Sequence, residues 1–259
     1  MILGILQARA SSRRLPGKVL KPILGRPMLE RQIERLRRAR RLDGLVVATS
    51  TDASDDAIAA LCRSLGVECF RGSLDDVLDR FYRAALRHSP RAAVRLTADC
   101  PLADPEVIDR LVDLHAAGGY DYTSNTLVRT YPDGLDAEVV ALPCLEAAWR
   151  EAALPSEREH VTPFIYNHPQ RFRLGNLAQP TDLSHLRWVV DEPEDLDFIT
   201  AIYGALHPGN PAFGTADVLA LLAARPEIAA MMGRAPTNEG YQRSLAADAA
   251  HSTVRKGTT

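Results

Sequence analysis

The chain has 259 residues, 46% of them hydrophobic, enough to bury a full core in one large domain or two small ones. A formal net charge of -2 supplies no general pull toward nucleic acid or a membrane surface, and no apolar run approaches the length of a bilayer span. Cys62, Cys69, Cys100 and Cys144 show no C-x-x-C spacing, which argues against a zinc frame or disulfide scaffold and for reduced thiols in the cytoplasm.

Met1 leads straight into a strand-length apolar run, so no signal peptide is expected. That run, Ile2–Leu6, ends abruptly in the cationic loop Gln7-Ala8-Arg9-Ala10-Ser11-Ser12-Arg13-Arg14-Leu15-Pro16-Gly17-Lys18. In an open α/β sheet such a junction lies at the carboxyl edge, where ligands bind. Ser11 and Ser12 are small enough to let backbone N–H groups face an anion, four cations surround them, and Pro16-Gly17 makes a tight turn. The loop reads as a polyphosphate cradle, with Arg9 and Lys18 on phosphate and one of Arg13 and Arg14 in solvent. It is not a Walker A loop, because Gly17-Lys18 is not followed by Ser or Thr, and no G-x-G-x-x-G occurs.

Pro27–Arg40 has the helical pattern, with Met28, Leu29, Ile33 and Leu36 inward. Arg31, Arg35, Arg37, Arg38, Arg40 and Arg41 lack interleaved aromatics, so they read as a solvated face and not as a nucleic-acid surface. Leu45–Ala48 is a second strand, ending at Thr49-Ser50, which suit nucleotide contact or a turn. Ser54 can cap the next helix, whose stripe of Ile58, Leu61, Cys62 and Leu65 stops at Gly66. Val67–Phe70 is a third strand, followed by a helix to about His88. A fourth, Ala92–Leu96, delivers Thr97-Ala98-Asp99-Cys100-Pro101 before a helix capped by Asp104 with Pro105 at its first position. Apolar strands with helical crossovers mean a parallel sheet covered on both faces.

The second half changes character. Tyr120–Ser124 and Ala137–Leu142 read as strands around a polar excursion containing Tyr131-Pro132-Asp133-Gly134, the kind of loop that carries specificity. Helical patterns follow at about Pro143–Ala153 and Glu157–Asn167, then strands at Phe172–Leu177 and Leu186–Val190. Asp191-Glu192-Pro193 opens a helix to about Leu206, and another lies near Ala216–Ala223. From Ser244 the composition is small and polar, read as a disordered tail over 244–259.

Asp99 and Asp191 each follow an apolar strand and precede x-Pro, and strand ends converge on one edge. Together they suit Mg²⁺, with helix caps as the alternative. Period two puts Arg95, Thr97 and Asp99 on one face, with Arg95 toward phosphate or ribose or else paired to a buried carboxylate. His160 alone suits a hydrogen-bonded structural role, and Cys100 packing. From the residues alone the chain is a Mg²⁺-dependent, nucleotide-using α/β enzyme with its reaction unresolved.

Three stretches together resemble a known family. Gln7-Ala8-Arg9 through Lys18-Val19-Leu20 resembles the first motif of the cytidylyltransferases that activate acidic sugars, the acylneuraminate and 3-deoxy-manno-octulosonate type. Asp99-Cys100-Pro101-Leu102 and Trp188-Val189-Val190-Asp191-Glu192-Pro193-Glu194-Asp195-Leu196 are similar to that family's two metal motifs. Phe70–Ser73, Asp75–Arg80, Tyr131–Asp136, Ser156–Pro163 and Asn238–Tyr241 resemble the branch typified by spore coat polysaccharide biosynthesis protein F, so the likeness spans about residues 1–245.

The resemblance implies a Rossmann-like nucleotide-diphospho-sugar transferase (GT-A-like) α/β fold, with a mostly parallel central sheet flanked by helices. One nucleotidyltransferase domain would cover 1–243, with an insert at about 120–168 for acceptor binding and homodimerisation. It implies transfer of CMP from CTP to an acidic sugar or related anionic acceptor, with Mg²⁺ on Asp99 and Asp191 and release of pyrophosphate. Lys18, Arg9 and Asp99 would be catalytic. Ala8, Arg9, Ser12, Arg14, Lys18, Ser50, Arg71 and Thr97 would bind nucleotide, and Tyr131, Asp133, Asp136, Glu138, Arg158 and His160 would face the acceptor. The alternatives are a glycosyltransferase of the same fold and a non-catalytic nucleotide-binding subunit. Ser11 and Ala98 stand where the family commonly has Gly, Arg13 where it has Thr, and Glu192 where it usually has Thr.

Overall fold

The computed structural model describes residues 1–235 and 239–256. In chain order the strands are β1 (Ile2–Gln7), β2 (Pro22–Ile23), β3 (Arg26–Pro27), β4 (Gly44–Ser50), β5 (Glu68–Gly72), β6 (Ala92–Thr97), β7 (Tyr122–Ser124), β8 (Glu138–Ala141) and β9 (Leu174–Asn176). The helices are α1 (Met28–Leu36), α2 (Asp56–Ser64), α3 (Val77–Leu86), α4 (Pro105–Gly118), α5 (Leu142–Glu151), α6 (Pro155–His160), α7 (Pro163–Tyr166), α8 (Pro193–Leu206), α9 (Thr215–Ala224), α10 (Pro226–Ala229) and α11 (Glu239–Lys256).

Seven strands form one sheet in the order β5-β4-β1-β6-β8-β7-β9, and β2 and β3 make a separate hairpin. The first four are parallel, β8 is antiparallel to β6 and β7, and β9 is parallel to β7. Alternation along β1 sends Leu3 and Ile5 to a layer with α3, α5 and α7, and Ile2 and Leu6 to a layer with α1, α4 and α8. Each such side chain contributes about 1.5–3 kcal/mol when taken fully from water. Gln7 lies between Ala48 and Thr97. The loop after β1, the turn after β4 and Asp99 after β6 therefore leave from a common edge.

The solvated face expected of the basic first helix holds only in part: Arg37, Arg40 and Arg41 are exposed and Arg38 is half-buried, but Arg31 and Arg35 turn inward. Arg31 and Arg35 are buried, donating through Nε to Ile23 O at 3.1 Å and Ala103 O at 2.8 Å, and Arg35 lies over the Phe213 ring. Arg37 and Arg38 donate to the Leu65 and Pro211 carbonyls, and Arg40 and Arg41 meet Asp109 and Asp113. A helical wheel shows which positions are polar but not which carbonyls lie within a long side chain's reach.

The expected strand Leu186–Val190 is an extended segment with a single bridge, Asp133 to Arg187. Its donors are taken by loop carbonyls, Trp188 N–H by Asp133 O at 2.6 Å and Val190 N–H by Asp99 O at 2.8 Å. The expected helix Glu157–Asn167 divides into α6 and α7, because buried Val161 takes φ +73°. Ser54 does not cap α2; its own N–H donates to Asp52 Oδ1 at 2.9 Å.

The stretch from Ser244 is not a free tail over the described residues. It belongs to α11, where Ser244 and Asp248 are buried and Asp248 Oδ1 accepts from Ser156 N–H at 2.9 Å at the start of α6. Small polar composition conceals two anchors that need a partner helix to be recognised. Residue Asn238 of the C-terminal motif and residues 257–259 lie outside the described residues. Among the described residues, no helix is long and apolar enough to cross a membrane.

Candidate active site

The loop after β1 closes on one carbonyl: Ala10 O accepts from Ser12 N–H and Gly17 N–H, both at 2.9 Å. Gly17 sits at φ +67°, a conformation glycine adopts without Cβ strain, and the short helical turn Lys18–Leu20 follows. This turn sends Lys18 inward. Its Nζ donates to Val190 O at 2.7 Å and to Asp99 Oδ2 and Asp191 Oδ1, each at 3.0 Å. Burial alone would lower the Lys18 pKa, but Asp99 and then Asp191 outweigh it and hold the ammonium above its ordinary value. Burial would likewise raise Asp99; the charge of Lys18 and a hydrogen bond from the Thr97 hydroxyl instead take it down to about 2.

Asp191 is held from the other side as well. Its Oδ2 receives Arg14 Nη2 at 2.8 Å and Arg187 Nη2 at 3.1 Å. Arg187 is clamped by Asp195 through Nε at 3.1 Å and Nη2 at 3.0 Å. The same Asp195 accepts from the backbone N–H groups of Asp191 and Glu192, so the start of α8 and the site carboxylate share one brace. Asp195 lies within the second metal motif but carries no role of its own from sequence, and Arg187 carries none; the i, i+4 and i, i+8 spacing from Arg187 was the available signal.

Whether these residues suit a divalent ion is decided by their donors. Asp99 and Asp191 already converge on one cation, and both offer hard oxygen. Among the described residues no group of three or more His, Cys, Asp or Glu suits a metal. Two carboxylates, with phosphate and water left to complete the shell, is the pattern Mg²⁺ accepts. The donors fit.

The other nucleotide-side residues divide. Arg9 and Arg13 are exposed and form no ion pair among the described residues. Ser12 Oγ accepts from Leu15 N–H at 3.4 Å, and Ala8 is buried with its N–H on Ala48 O. Ser50 is buried and gives its hydroxyl to Asp55 Oδ2 at 2.5 Å, and Arg71 donates to Ser50 O and Asp52 O and pairs with Asp56. Both side chains are spent on holding the turn after β4. Asp55, unassigned from sequence, is fully buried and also accepts from Ala10 N–H at 2.7 Å. Neither Ser11 nor Ala98 has a positive φ, so these replacements of glycine strain no backbone.

Among the residues expected to face an acceptor, Asp133 and Asp136 both feel the charge of Asp99. Asp136 is held by both guanidinium nitrogens of Arg129 at 3.0 and 2.8 Å, and burial raises its pKa. Burial and then Asp136 push Asp133 up to about 6, against Arg129 and Arg187. Glu138 pairs with Arg95 and accepts from Tyr122 at 2.8 Å and Thr162 at 2.5 Å, which makes Arg95 a partner of a buried carboxylate. His160 Nε2 lies 3.0 Å from Ser244 Oγ. Two expected members stand apart. Arg158 pairs with Asp76 and donates to Trp149 O, bracing α6 on α3. Tyr131 is buried in the apolar layer with α4. Burial raises the Cys100 thiol well above its ordinary range, in keeping with packing.

Residues 3–204 match the family described as cytidylyltransferase. The spore coat polysaccharide biosynthesis protein SpsF of Bacillus subtilis is 36% identical over 235 residues, 88% of this chain and 96% of that protein. A cytidylyltransferase structure from Leptospira borgpetersenii aligns with a TM-score of 0.85 at 30% identity, over 91% of this chain and 98% of that one. CMP:2-keto-3-deoxy-manno-octonic acid synthetase, solved with CTP, aligns with a TM-score of 0.58 at 16% identity, over 79% and 98%, a likeness of fold.

Proposed function

Since the chain belongs to the cytidylyltransferase family, we propose that it transfers CMP from CTP to a small anionic acceptor of the acidic-sugar class and releases pyrophosphate. The observation that carries this reading is Lys18, buried where Asp99 and Asp191 converge beneath a loop whose Arg9 and Arg13 have no carboxylate partner among the described residues. A triphosphate asks for more positive charge than the diphosphate of a sugar-nucleotide donor, and this loop is dense in it.

In the reaction an acceptor oxygen bonds to the α-phosphorus, the bond from that phosphorus to the bridging oxygen breaks, and the electron pair leaves on pyrophosphate. Such transfer needs positioning and charge neutralisation more than a protein nucleophile. Arg9, Lys18 and the loop N–H groups orient the triphosphate, with Ser12 and Arg14 supporting them. Asp99 and Asp191 would hold Mg²⁺, which supplies charge neutralisation on the phosphates when bound. Asp133, Asp136, Glu138 and His160 face the acceptor. Exposed Leu127 and Val128 lie in the 120–168 insert and suit a homodimer contact, and the four free thiols fit a reducing cytoplasm.

The test is pyrophosphate release from CTP and Mg²⁺ with a panel of sugar acids and phosphonates. Release that depends on the acceptor and vanishes in Asp99→Ala supports the reading. Turnover of UDP- or GDP-sugars without pyrophosphate overturns it in favour of glycosyl transfer.

A further inference from the structure

The family match ends at residue 204, yet α11, beyond it, packs on α6 and brings two side chains, Tyr241 and Ser244, against His160. Ser244 Oγ lies 2.6 Å from Glu159 Oε2 and 3.2 Å from Gly240 O, and both of those only accept. A hydroxyl has one proton, so toward His160 Nε2 the Ser244 oxygen accepts. His160 is therefore the tautomer with Nε2 protonated, and Nδ1 keeps a lone pair with no partner among the described residues. Tyr241 stands edge-on to the imidazole, ring centroids 5.2 Å apart, and its phenol lies near enough to that of Tyr166 to help push the Tyr166 pKa up, after burial. Two neighbouring phenols can spend at most one O–H proton on each other, so the pair keeps one to donate.

This wall is neither sealed nor remote. The His160 side chain is 26% exposed; two residues on, Thr162 donates to Glu138 at 2.5 Å, and the Tyr166 ring lies 6.1 Å from that of Tyr122, whose hydroxyl also donates to Glu138. Burial and Arg95 bring its pKa down to about 4, so the ring is neutral near pH 7.

We propose that α11 completes the acceptor site, with His160 Nδ1 accepting a hydrogen bond from an acceptor hydroxyl and the Tyr166–Tyr241 pair donating one. The hydroxyl-bearing part of an anionic sugar is thus read by a helix outside the segment matched to the family. Ser244 is a positioning residue in this arrangement, because it acts only by fixing the imidazole. The inference rests on the cytidylyl-transfer reading.

The experiment measures KM for CTP and for the acceptor separately, in wild type, Tyr241→Phe, His160→Gln and Ser244→Ala. The acceptor is whichever of 3-deoxy-manno-octulosonate and N-acetylneuraminate the wild type uses faster, and melting temperature verifies folding. Because sites built to hydrogen-bond a hydroxyl lose much when a partner is removed, acceptor KM is expected to rise about tenfold or more in Tyr241→Phe and His160→Gln, with CTP KM within about twofold. Imidazole ¹⁵N spectra, assigned with His160→Gln, should show a protonated Nε2 and a bare Nδ1 in wild type, and a mixture of tautomers in Ser244→Ala. An unchanged acceptor KM, an equal rise in CTP KM, or a protonated Nδ1 overturns the proposal. If wild type releases pyrophosphate and the variants match it, this inference alone fails. If wild type uses neither acid, the inference falls for both.

Discussion

Asp55, in the short helical turn Ala53–Asp55 after β4, accepts a hydrogen bond at 2.7 Å from the backbone N–H of Ala10 in the loop after β1. Its other oxygen holds Ser50 N–H and Oγ at 2.9 and 2.5 Å. Burial would raise this carboxyl, but these bonds hold its pKa below the ordinary value. One ionised side chain thus ties the loop after β1 to the neighbouring strand. Asp55→Ala leaves several buried donors unmet, at about 1–3 kcal/mol each. We expect a marked fall in melting temperature and, in the protein that stays folded, a larger rise in KM for CTP than for the acceptor. An unchanged CTP KM would mean that the loop holds its shape without the tether.

Lys18→Met tests the junction of Asp99 and Asp191. Without the ammonium Asp99 loses its cation and Asp191 keeps only Arg14 and Arg187, and a phosphate held there would lose a fixed donor. Loss of such a group costs about 10²–10³ in rate. A divalent cation can take the vacated charge, so Mg²⁺ should raise the melting temperature of the variant more than that of wild type. Equal shifts in the two proteins would argue that the carboxylates do not share a cation site.

The edge that carries the site was legible because its two carboxylates stand just past apolar runs and before x-Pro. Asp99 follows a true ladder strand. Asp191 follows a segment equally apolar that bonds to loop carbonyls at Asp133 and Asp99 instead, and an apolar run does not reveal which partner it will find. Asp55 was illegible for a different reason: Asp52, Ser54 and Asp56 around it all look like caps, and only the fold shows which one turns inward. Ser50 and Arg71 face the right edge but are used up there by Asp55 and by the Ser50 and Asp52 carbonyls. The anchors of α11 are long-range, so neither propensity nor periodicity marks them.

Asp133 gives a pH test. Its folded pKa of about 6 exceeds the ordinary 3.8, so the native protein keeps a proton that the unfolded chain releases. Its contribution to stability is complete below pH 3.8 and is lost as pH rises through about 6. Asp133→Asn is neutral throughout. The melting temperature of the variant relative to wild type should therefore rise from about pH 4 to about pH 7, in a series at constant ionic strength. A flat difference would mean that Asp133 ionises as it does in the unfolded chain.

Gly134 should be the least replaceable glycine near the site. It has φ +111°, and a Cβ there would lie 2.5 Å from the Trp188 carbonyl carbon and 2.7 Å from both Trp188 O and Val189 N. All three are backbone atoms, so relief requires the whole segment to move. That segment delivers Val190 O to Lys18 and places Asp191, so a shift would reach the carboxylate junction. Positive-φ strain and overpacking together cost about 2–6 kcal/mol in Gly134→Ala. Gly204→Ala, inside α8 with nothing within 4 Å of the added carbon, should instead stabilise by about 0.5–1 kcal/mol. Urea unfolding compares the two, and kcat/KM at low temperature shows whether the folded fraction of Gly134→Ala has lost more activity than stability alone explains. A Gly134→Ala protein as stable and active as wild type would mean that the Trp188 segment can shift without disturbing Lys18, against the coupling argued for this site.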